Sequence, residues 1–175
     1  PDDMHPRMLK ELSDSIYGPI TEIFNKSIID GVVPDDWRLA FVSPIFKKGC
    51  RSRAENYRPI SLTSILCKMM ESFIREQTLQ HLHDNNLLSN RQYGFLSGRS
   101  TILQLLHYLD RCAETVARGG VTDVIYLDFA KAFDTVPYRR LLAKLEAYGI
   151  GGEFLNWIES FLTNRTQEVI VNGSH

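Results

Sequence analysis

Apolar residues recur at helical spacing along much of this chain, and short β-branched runs separate the helical stretches. Met8, Leu9, Leu12, Ile16, Ile20, Ile23 and Phe24 fall three or four residues apart, which predicts an amphipathic helical region from about Pro6 to Ile29. Gly31 follows as its stop and Gly18-Pro19 as the point of a bend. Leu39 to Phe46 reads as a strand, with Pro44 arguing for an edge or a bulge. Glycine and charge then mark a loop from Lys47 to Glu55, and Tyr57 to Leu62 is a second extended piece that would pair with the first as a hairpin. Ile65, Leu66, Met69, Met70, Phe73, Ile74 and Leu79 predict another amphipathic helix. A loop from Ser89 to Gly98 leads to Ser100 as an N-cap. Ile102, Leu105, Leu106, Leu109 and Val116 then line one helical face until Gly119-Gly120.

The next segment, Val124-Ile125-Tyr126-Leu127-Asp128, sets strand-forming residues directly ahead of a carboxylate. A buried strand ending in Asp places a negative charge where it costs free energy unless compensated. A hard cation such as Mg²⁺ would compensate it, and so would a role for Asp128 in capping the following turn. Beyond Val136-Pro137, Tyr138 to Tyr148 reads as a helix with proline in its favoured first turn. Glu153 to Leu162 reads as a short helix and Glu168 to Val171 as a strand. The class is α+β, helix-rich with a few antiparallel strands.

Composition narrows the partners. The 175 residues carry a formal net charge of -1, unlike the basic modules that coat nucleic acids. Charge is nevertheless uneven: Lys47, Lys48, Arg51, Arg53 and Arg58 face a single acid, Glu55, within one short stretch. Such a cluster is either a solvated loop or a phosphate-binding surface. Cys50, Cys67 and Cys112 form no CxxC pair, which fits a reducing intracellular setting, nucleus and/or cytoplasm. His81 and His83 stand alone as close histidines and read as a solvated helix end, since zinc would need more ligands. No apolar run has the length of a membrane span. Pro1 in place of Met, and Val171-Asn172-Gly173 as a strand entering a turn, give the expectation of a fragment.

Four motifs, in order, carry a resemblance. Leu127-Asp128-Phe129-x-Lys131-Ala132-Phe133-Asp134 resembles the first catalytic motif of reverse transcriptases from non-LTR retrotransposons, the LINE and jockey-like elements. Trp37-Arg38-x-Ala40-x-Val42-x-Pro44-Ile45-Phe46-Lys47-Lys48-Gly49 resembles that family's first fingers motif, and Asn56-Tyr57-Arg58-Pro59-Ile60-Ser61-Leu62 the second. Gln92-Tyr93-Gly94-Phe95-x-x-Gly98-Arg99-Ser100-Thr101 resembles the segment before the palm.

The resemblance implies the fingers and partial palm of a right-hand polymerase that copies RNA into DNA. Residues 1–120 would be an N-terminal extension and fingers, and 121–175 the start of the palm, ending before a paired-Asp motif. Asp128 would be the catalytic carboxylate that bridges two Mg²⁺ ions, for which Mn²⁺ could substitute, and the Phe129 carbonyl would be a further ligand. Lys47, with Lys48 as competitor, and Arg58 would cover the triphosphate of an incoming dNTP. Phe133 would stand beneath the sugar and reject a 2′-hydroxyl; as a residue alone, it reads first as an ordinary core residue of the turn.

Gln92, Gly94, Phe95, Gly98 and Arg99 would contact the template. The glycines would allow close backbone approach, and Phe95 would either stack on a base or anchor its loop to the core. Asp134 reads as a structural partner of turn amides. Trp37 and Tyr57 read as packing residues. The implied partners are an RNA template, a DNA primer or target and dNTPs, with no membrane and an open oligomeric state. The segment alone is expected to be inactive for want of the remaining carboxylates. The alternative from another class is a non-catalytic nucleic-acid-binding remnant of a decayed element, whose binding would be salt-dependent and indifferent to Mg²⁺ and Asp128.

Overall fold

The computed structural model describes residues 4–171; the expected turn at Asn172-Gly173 lies outside them. The chain divides into two compact units, one formed by residues 1–80 with 137–175 and the other by residues 81–136.

The first unit begins with helices α1 (Pro6–Glu11) and α2 (Ser13–Asp30). The break falls at Leu12 and not at Gly18-Pro19, which lie inside α2. Pro19 removes the bond to the Ser15 carbonyl, but both residues are exposed, so water takes the freed acceptor. At the other end, Gly31 adopts φ 63°. Its N–H bonds the Ile28 carbonyl at 2.9 Å and the Val32 N–H bonds that of Ser27 at 3.0 Å, closing the helix as a Schellman motif. A Cβ at Gly31 would lie 2.9 Å from Asn156 Cβ, so both backbone conformation and space require glycine there.

Strand β1 (Leu39–Phe46) pairs antiparallel with β2 (Tyr57–Leu62) and parallel with β3 (Thr166–Val169), giving the order β2-β1-β3. β1 is thus central, and Pro44 does not make it an edge. Two facts reconcile the proline with this position. β3 registers with β1 only from Leu39 to Val42, so Pro44 lies past that pairing. On the other side Pro44 faces Pro59. The Lys47 N–H bonds the Asn56 carbonyl at 2.8 Å, and alternation along an antiparallel ladder makes the Pro44–Pro59 pair one that needs no donors. β3 also starts two residues earlier than its apolar pattern implies, because it follows the register of β1.

Helix α3 (Ile65–Asp84) follows the hairpin and ends, as expected, at His81 and His83. Helix α4 (Thr101–Ala117) belongs to the second unit, and helices α5 (Tyr138–Ala147) and α6 (Gly152–Leu162) complete the first. Its core joins Phe24, Val33, Trp37, Cys67, Met70, Ile74 and Trp157. Phe24 meets the Trp37 ring edge-on at 5.8 Å, a favoured aromatic geometry. The Trp157 indole donates to Ser27 Oγ at 2.9 Å, and that hydroxyl donates to the Val32 carbonyl at 2.6 Å, so the buried polar atoms are satisfied. Burial, reinforced by the Glu71 carboxylate, pushes the Cys67 thiol up to about 12, which leaves it an inert core residue. All three cysteines are free.

Arg38 locks α6 to the start of β1. Its Nη1 donates to the carbonyls of Ser160 at 2.8 Å and Thr163 at 3.0 Å, and Nη2 donates to Ser160 Oγ at 3.0 Å. These acceptors lie at the C-terminal end of α6, where orphan carbonyls favour a cation.

The second unit holds the 85–100 loop, helix α4 (Thr101–Ala117) and the irregular segment that follows. Ser100 is the N-cap of α4, accepting the Leu103 N–H at 3.2 Å. The expected strand ahead of Asp128 is not formed: residues 121–129 have no regular structure. Ile125, Tyr126 and Leu127 are more than four-fifths exposed. An isolated strand leaves its ladder groups unpaired, and no other strand among the described residues pairs with this one. No described helix is long and apolar enough to cross a membrane.

Candidate nucleotide and template site

The β1–β2 hairpin determines which basic side chains share a surface. Residues facing each other across the ladder point the same way, as do residues two apart along a strand. Ile45 faces Arg58, and Lys47 continues the ladder opposite Asn56, so Lys47 and Arg58 project from one face as diagonal neighbours. Ala40 and Val42, which enter the core, point to the other face. The cationic face is therefore the outer one, shared with the half-exposed Ile45, Ile60 and Leu62.

The turn at the hairpin tip is built by its own residues. Gly49 has φ 92°, and a Cβ there would lie 2.8 Å from Asn56 Nδ2. That Asn56 amide donates to the Cys50 carbonyl at 2.8 Å, and the Tyr57 hydroxyl donates to the Arg51 carbonyl at 2.8 Å. Tyr57 also packs against Phe46 at 5.5 Å, so it and the buried Trp37 are packing residues as expected. Arg51 lies over the Phe46 ring at 5.1 Å, and Arg53 pairs with Glu55 at 3.0 Å. Two of the five clustered cations are thereby engaged. Lys47, Lys48 and Arg58 are exposed and make no ion pair among the described residues.

In the second unit the 92–99 loop uses several expected site residues to hold itself. Gln92 Nε2 donates to the Gly94 carbonyl at 3.0 Å, and Arg99 Nη1 donates to the Asn90 carbonyl at 3.0 Å. Arg99 also lies over the Tyr93 ring at 5.2 Å. Phe95 and Gly98 both take left-handed backbone, φ 63° and 72°. Phe95 is 80 % exposed and meets Phe133 edge-on at 6.2 Å. Neither ring is buried, which corrects the core anchor expected of Phe95 and the core position expected of Phe133. The contact instead joins the loop to the turn after Asp128.

Asp128 and the Phe129 main chain lie on the irregular segment, and both residues are exposed. The burial cost inferred for a strand-end carboxylate thus does not arise here. Lys131 turns the chain at φ 50°, and its carbonyl accepts from both the N–H and the hydroxyl of Thr135 at 3.1 Å. Asp134 is exposed and makes none of the turn bonds expected of it among the described residues; the side-chain bond in this turn is the Thr135 hydroxyl's, and it goes to a carbonyl and not to an amide. No group of three or more His, Cys, Asp or Glu side chains among the described residues could hold a metal ion. A single carboxylate does not make a site for Mg²⁺, which is fixed by carboxylates acting with other oxygen ligands. These residues alone therefore do not fit the two-ion arrangement.

Three residues beside the loop escaped the sequence reading. Leu103, His107 and Asp110 on α4, with Tyr93, Gly98 and Arg99, line an open cleft. Their signal was present as i, i+4, i+7 spacing, but it was masked by the apolar stripe beside it.

A basic hairpin, a glycine-bearing loop with Arg and Phe, and an apolar run into Asp follow in the order used by template-copying polymerases. The chain belongs to the reverse transcriptase (RNA-dependent DNA polymerase) family, whose sequence pattern it matches over residues 45–175. It is 29 % identical over 168 residues to the RNA-directed DNA polymerase from mobile element jockey of Drosophila melanogaster, covering 95 % of this chain and 18 % of that protein. It is 27 % identical over 154 residues to a probable RNA-directed DNA polymerase from transposon BS of the same species, covering 87 % and 17 %. A transposon TX1 protein of Xenopus laevis, an uncharacterized 149 kDa protein, is 26 % identical over 167 residues, covering 93 % and 12 %. The resemblance to polymerases of jockey-like, non-LTR elements therefore holds, and the chain spans less than a fifth of these relatives' length.

Proposed function

We propose that the protein carrying this chain is an RNA-directed DNA polymerase of a non-LTR retrotransposon, extending a DNA primer on an RNA template with dNTPs. The observation that carries this is the family match across residues 45–175, joined to a hairpin that sets Lys47 and Arg58 side by side on one outer face. Paired cations without acidic partners suit a triphosphate: Arg as a fork, Lys as a movable point charge.

In this reading residues 1–120 serve as N-terminal extension and fingers, and 121–175 begin the palm. Lys47 and Arg58 cover the nucleotide's phosphates, with Lys48 as the competing lysine. Gln92, Gly94, Phe95, Gly98 and Arg99 face the template. Phe133 lies under the sugar, where its ring collides with a 2′-hydroxyl. Asp128 and the Phe129 carbonyl join donors from elsewhere in the protein to hold divalent metal, Mg²⁺ or its substitute Mn²⁺. The same larger protein supplies the strand that pairs with Val124 to Leu127. The isolated chain is accordingly inactive, and the parent protein works inside the cell, in nucleus and/or cytoplasm.

Primer extension on an RNA template by the intact parent protein tests this. Asp128→Asn is expected to reduce extension to background. A normal rate in that variant would overturn the role given to Asp128, whereas no extension by the unaltered parent, with RNA binding retained, would favour the binding remnant.

A further inference from the structure

The cleft in the second unit has the chemistry of a base-binding pocket. It measures about 650 Å³, ample for one nucleotide. One wall is the Arg99 guanidinium lying over the Tyr93 ring at 5.2 Å and tied to the Asn90 carbonyl at 3.0 Å. The His107 ring forms an adjoining wall, its centroid 6.4 Å from that of Tyr93 and tilted by 58°. That spacing is too tight for a base to slide between the two rings, so an incoming base stacks on one plane, imidazole or guanidinium. Leu103 and Leu106 supply an apolar floor, and Asp110 is the acidic side chain of the lining.

The cleft is distinct from the apolar stripe of α4. At 100° per residue, Ile102, Leu105, Leu109 and Val116 cluster on one side of the helix. Leu103, Leu106, His107 and Asp110 are centred roughly 120° away from them. The stripe, more than half exposed, is the surface suited to packing against another apolar element. Covering it leaves the cleft, which lies between α4 and the 92–99 loop, open to a ligand.

We infer that this cleft receives one unstacked base of a single-stranded RNA template and favours bases carrying an exocyclic amino group. Stacking on rings and guanidinium planes is how single-stranded RNA is held. Selectivity comes from Asp110, whose ionised carboxylate only accepts hydrogen bonds. It matches the amino group of cytosine, adenine or guanine, whereas uracil has no amino group and sets its O4 acceptor beside a single N3–H donor. The inference rests on the polymerase reading for its ligand, an RNA template, and adds Tyr93, His107 and Asp110 as specificity residues.

The test is fluorescence anisotropy with the intact parent protein and single-stranded oligo(C), oligo(A) and oligo(U) of equal length. Oligo(C) and oligo(A) are expected to bind several-fold more tightly than oligo(U). Asp110→Asn, which keeps shape while adding a donor, should erase that preference. His107→Ala should weaken all three by about tenfold, as loss of one stacking plane would. Melting curves of each variant separate these losses from misfolding. Equal affinity of the unaltered protein for the three oligomers, or a preference that survives in a folded Asp110→Asn variant, overturns the pocket. Primer extension by the unaltered protein keeps the two readings apart. Extension without base preference removes the pocket alone, whereas preference without extension removes the polymerase and leaves the pocket.

Discussion

The two compact units use apolar residues in opposite ways. In the first, Trp157, Met70, Val33 and Cys67 are at most 1 % exposed, and α2, α3 and α6 contribute jointly to one core. In the second, residues 81–136, no described residue is buried, although Leu105, Leu109, Val124, Ile125 and Leu127 are as apolar as anything in the first. Hydrophobicity favours removal from water, but burial needs a complementary surface. Contiguous apolar surface that stays exposed marks a contact face. In the function proposed above, the second unit's helix stripe and its Asp128 segment are such faces.

The largest effect that would break this comparison is at the chemistry. Asp128→Asn should eliminate extension by the parent protein while leaving the fold of the first unit untouched, checked by circular dichroism beside the rate. Next in size is the contrast in stability. Trp157→Ala removes a fully buried ring and its bond to Ser27, and should cost about 3–5 kcal/mol. Val116→Ala, on the exposed stripe, should stay within about 0.5 kcal/mol in the 175-residue chain. Urea midpoints measure both. A larger loss for Val116→Ala in the parent than in this chain would sharpen the case that the stripe is covered there.

Removing the outer-face cations comes third. Arg58→Ala should raise the apparent nucleotide KM roughly tenfold or more, the scale of one charge-assisted hydrogen bond, with kcat less affected. Lys47→Ala against Lys48→Ala decides which lysine serves. If neither variant moves KM, the hairpin does not meet the nucleotide. Phe133→Val should admit ribonucleotides more readily, seen as a change in rNTP against dNTP incorporation; unaltered discrimination would return Phe133 to a loop-packing role with Phe95. The smallest effect is local. Ser100→Ala should destabilise α4 by about 1 kcal/mol through loss of its cap, visible in hydrogen exchange of its first turn.

Legibility in the sequence followed the same division. Helix spans in the first unit, the Gly31 stop, the β1–β2 hairpin and the Ser100 cap all depend on neighbours a few residues away, and each was readable. The interruption at Leu12 was not readable, because no glycine or proline marks it. Pro44 misled for a different reason: its tolerance depends on facing Pro59 and on where β3 stops, both facts about other segments. The strand before Asp128 failed most clearly, since a strand exists only by pairing.

The site divided along that line too. Motif order alone placed Lys47, Arg58, the 92–99 loop and Asp128 on one functional map. Only the register put Lys47 and Arg58 on a shared outer face, and only the folded loop brought Tyr93 and Arg99 against His107 and Asp110. The sequence by itself determined the local elements, the family and the chemical types available, because these follow from spacing and side-chain identity. Tertiary structure decided which cations stay unpaired, which aromatics remain exposed and whether Asp128 stands on a strand. Each of those depends on surfaces that meet across long separations in the chain.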